Sequence, residues 1–223
     1  MQKILQGGII MSLIDITQFY QGYTSVKHLG YYFPTHDPRF DDLSRLLLNF
    51  KDGNRDSSKL WIEYATKLLG PHIPSWPGGK KTIIVRALGH IELRASGGKS
   101  LDILGKKLDE VYGTNCVYSP TWVYKKHEIP SLKGLSRDAR RQALVDAYAH
   151  ITLNDDDSKL PLNYLILDDV ITTGSTLFAI QGAIKEKVPN ARVHAFGLCR
   201  TYDNFSNPTN INPLLLKALH GKN

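Results

Sequence analysis

The sequence predicts an α/β domain with a mainly parallel central sheet flanked by helices, and three observations predict it. Apolar runs of strand character, "TIIV", "YLIL" and "ARVHAFGLC", alternate with stretches whose apolar residues recur at helical spacing. One junction, "YLILDDVITTGST", ends an apolar run in two carboxylates and a threonine-glycine loop before a helix, the place where open parallel sheets collect ligands. Neither internal repeats nor low-complexity tracts interrupt the pattern.

Residues 25–34, "SVKHLGYYFP", alternate loosely and end at proline, giving a short strand. In "DPRFDDLSRLLLNFK", Asp37 is the expected N-cap with Pro38 at the first helical position, and Leu43, Leu46, Leu47 and Phe50 mark an amphipathic helix. The turn "KDGNRDS" leads to a second helix, "SSKLWIEYATKLLG", closed by Gly70. "HIPSWPGG" breaks the chain before a strand at residues 82–85. From Ser100, "SLDILGKKLDEVYG" is a helix carrying Leu101, Leu104, Leu108 and Val111, stopped at Gly113, and "NCVYSP" is a candidate strand. Residues 121–135, "TWVYKKHEIPSLKGL", are too polar and broken for a core element, so a long loop or mobile arm is expected. Ser136 caps the helix "SRDARRQALVDAYAH", and "NDDDSKLPLN" is a polar connector. "YLILDD" is a strand, "STLFAIQGAIKEKV" a helix and "ARVHAFGLC" the last strand. The expected organisation is a helical or hood region over 1–80, a core over 81–203, and a tail over 204–223 that is either a small helix or loose.

With 223 residues and 42% hydrophobic content the chain can bury a core. Its net charge of +7 favours anionic partners, phosphorylated metabolites or nucleic acid, although a solvated basic surface gives the same balance. Cys116 and Cys199 form neither a metal-type pair nor a disulfide framework, so buried inert thiols in a reducing, cytoplasmic compartment are expected. "MQKILQGGIIMSLIDI" shows no cleavage pattern, and no run approaches the roughly 20 apolar residues of a membrane span, so no membrane partner is expected. Met11 is a second candidate start, with residues 1–10 as a loose tail.

A desolvated carboxylate costs several kcal/mol, so Asp168 and Asp169 require a chemical reason. Behind them, Thr172 to Thr176 lead into a helix N-terminus whose N–H groups and hydroxyls suit a phosphate, with Gly174 allowing close approach. Carboxylates repel phosphate, so their target is a hydroxyl-bearing part of the same ligand, such as a ribose diol, or a divalent cation beside it. A phosphorylated sugar satisfies both halves. The plain alternative is that Asp168 caps a turn and the hydroxyl cluster caps the helix. No glycine-lysine-threonine phosphate loop of the nucleotide hydrolases occurs. After the strand at residues 82–85, Arg86, Ala87, Leu88 and Gly89 form a loop able to present N–H groups to a second anion, with Arg86 alternatively a surface residue. His90 is more often a satisfied or solvated histidine than a ligand, while Arg94 and Lys99 are candidates to reach the same anion. Lys125, Lys126, His127, Lys133, Arg137, Arg140 and Arg141 are the densest basic region, either a solvated face or a lid that closes over an anion.

"YLILDDVITTGST" resembles the phosphoribosyl-pyrophosphate signature of type I phosphoribosyltransferases. The resemblance implies the fold of that family, with Asp168 and Asp169 on the ribose hydroxyls. It also implies Ile171, Thr172, Thr173, Gly174, Ser175 and Thr176 around the 5′-phosphate. Thr172 stands where purine-salvage members place a base-contacting aspartate, so a hypoxanthine-guanine specificity is not carried over. A wider match over about residues 45–200, above all "YKKHEIPSLKGLSRDARRQALVDAYAH", is similar to the ComF-like branch. The cysteine-rich N-terminus of many such proteins is missing, and "RASGGKS" replaces their usual arginine-glycine-aromatic-asparagine element.

In that light Arg86, Ala87, Leu88 and Gly89 are expected on the pyrophosphate. Mg²⁺ is expected as cofactor, reached by Asp168 and Asp169, and Lys125 and Lys126 are the candidate catalytic cations of a lid. The expected activity is Mg²⁺-dependent transfer of ribose 5-phosphate from phosphoribosyl pyrophosphate to a nitrogen acceptor. The alternative is a non-catalytic binder acting as a metabolite sensor or in DNA uptake, with Trp122 and Tyr124 stacking on single-stranded DNA. A homodimer is a further candidate assembly.

Overall fold

The computed structural model describes residues 3–5, 8–10, 12–73, 76, 81–131, 134–151, 162–202 and 211–221. It is a mixed α/β structure with a mainly parallel central sheet flanked by helices. A short antiparallel pair, β1 (Lys3–Leu5) and β2 (Gly8–Ile10), precedes it. The six-stranded sheet runs β3 (Ile14–Asp15), β4 (Ser25–Tyr32), β10 (Arg192–Thr201), β9 (Asn163–Ile171), β5 (Thr82–Arg86), β6 (Cys116–Tyr118). Every neighbouring pair is parallel except β3 with β4 at one edge.

β9 lies at the centre because "YLIL" is apolar on both faces, which only a strand covered on both sides tolerates. Its alternation divides the core: Tyr164 and Ile166 face one layer, Leu165 and Leu167 the other. The second layer is closed by α1 (Asp42–Lys51), α2 (Arg55–Leu69), α3 (Ser100–Tyr112) and α6 (Ile211–Leu219). The first is closed by α4 (Arg137–Leu144), α5 (Ser175–Lys187) and an antiparallel ribbon of β7 (Val123–Lys125) and β8 (Tyr148–His150).

Several elements depart from their sequence reading. The cap of α1 is Asp41, whose carboxylate accepts the Ser44 N–H at 2.8 Å, whereas Asp37 is taken by Arg39 at 2.7–2.9 Å. The stretch read as a mobile arm contains β7, with Val123 and Lys125 both buried. A lysine is tolerated there because its stem packs inward while its ammonium finds two carbonyls. Lys133 and residues 154–161 of the polar connector lie outside the described residues.

The segment read as a hood supplies β3 and β4 to the sheet itself. The segment read as a tail supplies α6, which Asn212 fastens to β4: its Oδ1 accepts the Tyr31 N–H at 2.9 Å and its Nδ2 donates to the Tyr31 carbonyl at 2.8 Å. The close approach requires Gly30, since a Cβ there would stand 2.7 Å from Leu215 and 2.9 Å from Leu43. Both cysteines are free and buried, and no described helix is long and apolar enough to cross a membrane.

Candidate active site

From β5 the chain crosses through α3 to β6, toward one edge of the sheet; from β9 it crosses through α5 to β10, toward the other. The crevice between the carboxyl ends of β5 and β9 is therefore the topological switch point, where ligands settle in open α/β sheets. Arg86 pairs with Leu167, and the Ala87 N–H donates to the Leu167 carbonyl at 2.8 Å, so the loop after β5 and the acidic pair stand at one level. A cavity of about 390 Å³ opens there. Arg86 through His90, Glu92, Lys99, Asp168, Asp169, Lys51 and Thr176 are among its lining residues.

Asp168 and Asp169 share the cavity but leave opposite faces of the strand. Asp169 forms an ion pair with Lys51, at the last position of α1, at 3.2 Å. Burial works against the Lys51 ammonium, but the neighbouring Asp169 carboxylate outweighs it and the net shift is upward. Asp168 has no such cation in contact among the described residues and accepts the Asp169 N–H at 2.9 Å. Burial first, and then the adjacent Asp169 charge, push its carboxyl well above the usual carboxylate range.

The loop beyond β9 is shaped by one residue. Gly174 has φ 75° and caps α5, and an added Cβ would lie 2.3 Å from the Tyr20 ring. Ile171 is buried at the strand end, Thr172 is exposed, and the hydroxyls of Thr173 and Ser175 share a hydrogen bond at 2.9 Å. Arg140, delivered by α4, donates from Nη1 to Thr172 Oγ1 at 3.0 Å, and Arg141 lies over the Phe178 ring. Replacing Gly174 by alanine is expected to cost about 1–3 kcal/mol of stability through backbone strain, with further loss from the Tyr20 clash. A lowered urea midpoint at unchanged slope checks this.

Arg86 is not a surface residue. At 2% exposure its guanidinium gives Nε to Asp102 Oδ1 at 2.6 Å, Nη2 to Asp102 Oδ2 at 3.1 Å and Nη1 to the Ala87 carbonyl at 3.0 Å. Glu92 takes the remaining edge, at 2.9 Å from Nη1 and 2.8 Å from Nη2. All five donors of the fork are thus engaged. Asp102, fully buried at the third position of α3, also accepts from Tyr118 Oη at 2.6 Å and from the N–H groups of Gly98 and Lys99. Burial opposes its charge, yet the bonds from Arg86 and Tyr118 prevail and its pKa is lowered.

Lys125 reaches the same loop from behind, its ammonium donating to the carbonyls of Gly89 and His90. Burial brings it down to about 8. Lys126 is exposed and within electrostatic range of Glu186, in the last turn of α5 away from the phosphate loop. Neither lysine is among the lining residues of the cavity. Arg94 stacks on Tyr124 at 4.5 Å, and Trp122 packs against the core, so both aromatics expected to stack on DNA bases are engaged within the fold.

Sequence reasoning missed Lys51, Glu92 and Asp102 as site residues. Lys51 gave the one available signal, a cation ending a helix; the others gave none, because each looks like an ordinary helix or loop charge until its partner folds against it.

No family model matches the chain, and no curated protein matches it in sequence. Among solved structures it is similar to a hypoxanthine phosphoribosyltransferase from Staphylococcus aureus in a tetragonal crystal form, at 12% identity and a TM-score of 0.39, covering 70% of this chain and 85% of that one. The orthorhombic form of that enzyme gives 13% identity and a TM-score of 0.36, covering 71% and 86% respectively.

Proposed function

We propose that this chain binds phosphoribosyl pyrophosphate with Mg²⁺ and transfers ribose 5-phosphate to a nitrogen acceptor, releasing diphosphate, as a type I phosphoribosyltransferase similar to the ComF-like branch. One observation carries the reading: an acidic pair lies between a hydroxyl-rich helix N-terminus and a second, arginine-backed loop, at the switch point of a parallel sheet. A ligand with a terminal phosphate, a sugar diol and a diphosphate has one group for each part.

In this reading the residues from Ile171 to Thr176 hold the 5′-phosphate, with Arg140 beside Thr172 adding charge to that cradle. Asp168 and Asp169 accept the ribose hydroxyls. The loop 86–89 takes the diphosphate, flanked by Lys51 and Lys99. Among the described residues no cluster of three His, Cys, Asp or Glu side chains could hold a metal. Two carboxylates at a cavity fit Mg²⁺ that arrives already chelated, since this ion keeps few protein ligands beside substrate phosphates. The ion supplies neutralisation of the leaving diphosphate. Asp168, whose charge is raised in energy by burial, gains from a cation or a hydroxyl donor placed beside it.

Lys125 serves by fixing the carbonyls of the diphosphate loop, and Lys126 has no placement that favours a catalytic part. The test is incubation of the chain with phosphoribosyl pyrophosphate, Mg²⁺ and a panel of bases and amines, read by diphosphate release. Release dependent on one acceptor is the expected result. Tight binding without release under any acceptor would favour a sensor, and a salt-steep isotherm with single-stranded DNA would favour a nucleic-acid role.

A further inference from the structure

The loop assigned to the diphosphate is already filled by a carboxylate of the chain itself. Glu92 Oε2 accepts the Gly89 N–H at 2.7 Å and Arg86 Nη1 at 2.9 Å; Oε1 accepts Arg86 Nη2 at 2.8 Å and the Ser96 hydroxyl at 3.1 Å. Two anionic oxygens thus each collect two donors, in the bidentate arrangement that an arginine fork offers to carboxylate and phosphate alike. Burial works against the Glu92 charge, but the Arg86 and Gly89 contacts outweigh it and hold its carboxyl down to about 2.

The occupant and its socket differ in how firmly they are held. Arg86 keeps Asp102 and the Ala87 carbonyl whether or not Glu92 is present, and Lys125 pins the carbonyl of Gly89 independently. Glu92 instead rides a loop that ends at Gly97, with φ 76°, and Gly98, where an added Cβ would touch nothing. Its neighbours Ile91 and Leu93 are 68% and 42% exposed, so the Glu92 side chain can swing outward while the Leu93 carbonyl keeps the Lys125 N–H at 2.8 Å and Ala95 stays packed on the core. That swing would also return a carboxylate to water, where it is well solvated.

We propose, resting on the reading of the site given above, that Glu92 is an internal competitor: it occupies the diphosphate position in the free chain and must leave before ligand enters. Departure frees one N–H on each of Nη1 and Nη2 of a guanidinium that stays in place, together with the Gly89 N–H and the Ser96 hydroxyl. Observed affinity is then the intrinsic affinity reduced by the fraction of molecules in which Glu92 is out.

Calorimetric titration of the full chain with magnesium diphosphate and with phosphoribosyl pyrophosphate tests this on wild type, Glu92→Gln and Glu92→Asp. The first variant loses the charge, and the second cannot span Arg86 and Gly89 together. Both are expected to bind each probe about tenfold tighter. Equal or weaker binding by the variants, with wild type binding normally, overturns the inference alone, because it makes Glu92 a support of the loop. Failure of wild type and variants alike to bind either probe overturns the site reading, and the inference with it. Should the variants not fold, a crystal structure of wild type with magnesium diphosphate decides: Glu92 displaced from Gly89 is expected, and Glu92 still bonded there beside a bound diphosphate overturns it.

Discussion

Replacing Asp102 by alanine is expected to cost about 3–5 kcal/mol of folding stability, because it strips a buried arginine of one of its two carboxylates and leaves the Tyr118 hydroxyl and two N–H groups without their acceptor. The loss is large beside the 5–15 kcal/mol, roughly, that a domain of this kind has in total. Asp102 joins the end of β5, through Arg86, to β6, through Tyr118, and it satisfies two N–H groups at the start of α3. Urea denaturation should show a lowered midpoint with an unchanged slope. The double replacement Arg86→Met with Asp102→Leu should recover much of the loss, since the buried Arg86–Asp102 pair is removed together and Glu92, at the exposed end of the network, can turn to water. A double variant as unstable as the sum of the singles would show that the two residues act independently.

The same network sets an acid limit. Glu92 is held at about 2 and Asp102 is also lowered, while unfolded carboxyls titrate near 4, so these groups stabilise the fold fully above the unfolded values. That contribution disappears as pH falls from about 4 toward about 2. The Asp102→Ala protein should show a shallower acid transition.

Replacing Asp168 by asparagine should have opposite effects on stability and on binding. The Asp168 carboxyl is raised by burial and by Asp169, so its folded pKa lies above its unfolded one. The sign is then reversed: the folded state holds the proton more tightly, and stability falls as pH rises between the two values. Asparagine removes that fall. Without ligand, the variant should melt higher than wild type at about pH 8.5 and nearly equal to it at about pH 4. Phosphoribosyl pyrophosphate with Mg²⁺ should bind it at least about 100-fold more weakly, a loss of roughly 3 kcal/mol. Thermal melts with and without ligand read both effects. A variant that binds as wild type does, or that melts lower at the higher pH, would remove Asp168 from the site.

How much of this was legible in the sequence depends on the range over which each feature is specified. Ser136 was readable as a cap because its bond to the Ala139 N–H lies within one turn. Gly174 was readable as the position where the backbone can approach closely, because only glycine lacks a Cβ, while its φ of 75° is seen in the folded loop. The choice between Asp37 and Asp41 as the cap of α1 was not readable, since both precede the helix and either carboxylate can accept. It is resolved by Arg39, which takes Asp37, and by Asn212 of α6, which bonds Asp41 at 2.7 Å.

Residue type and spacing alone determined the α/β class, the central apolar strand and the junction of two acids with a hydroxyl loop, because each follows from local periodicity or from a single turn. Tertiary structure alone decided which charges meet: Lys51 with Asp169, Arg86 with Asp102 and Glu92, Lys125 with two carbonyls. A charged side chain carries no mark of its partner, and burial, which makes the partnership obligatory, exists only once distant segments have packed.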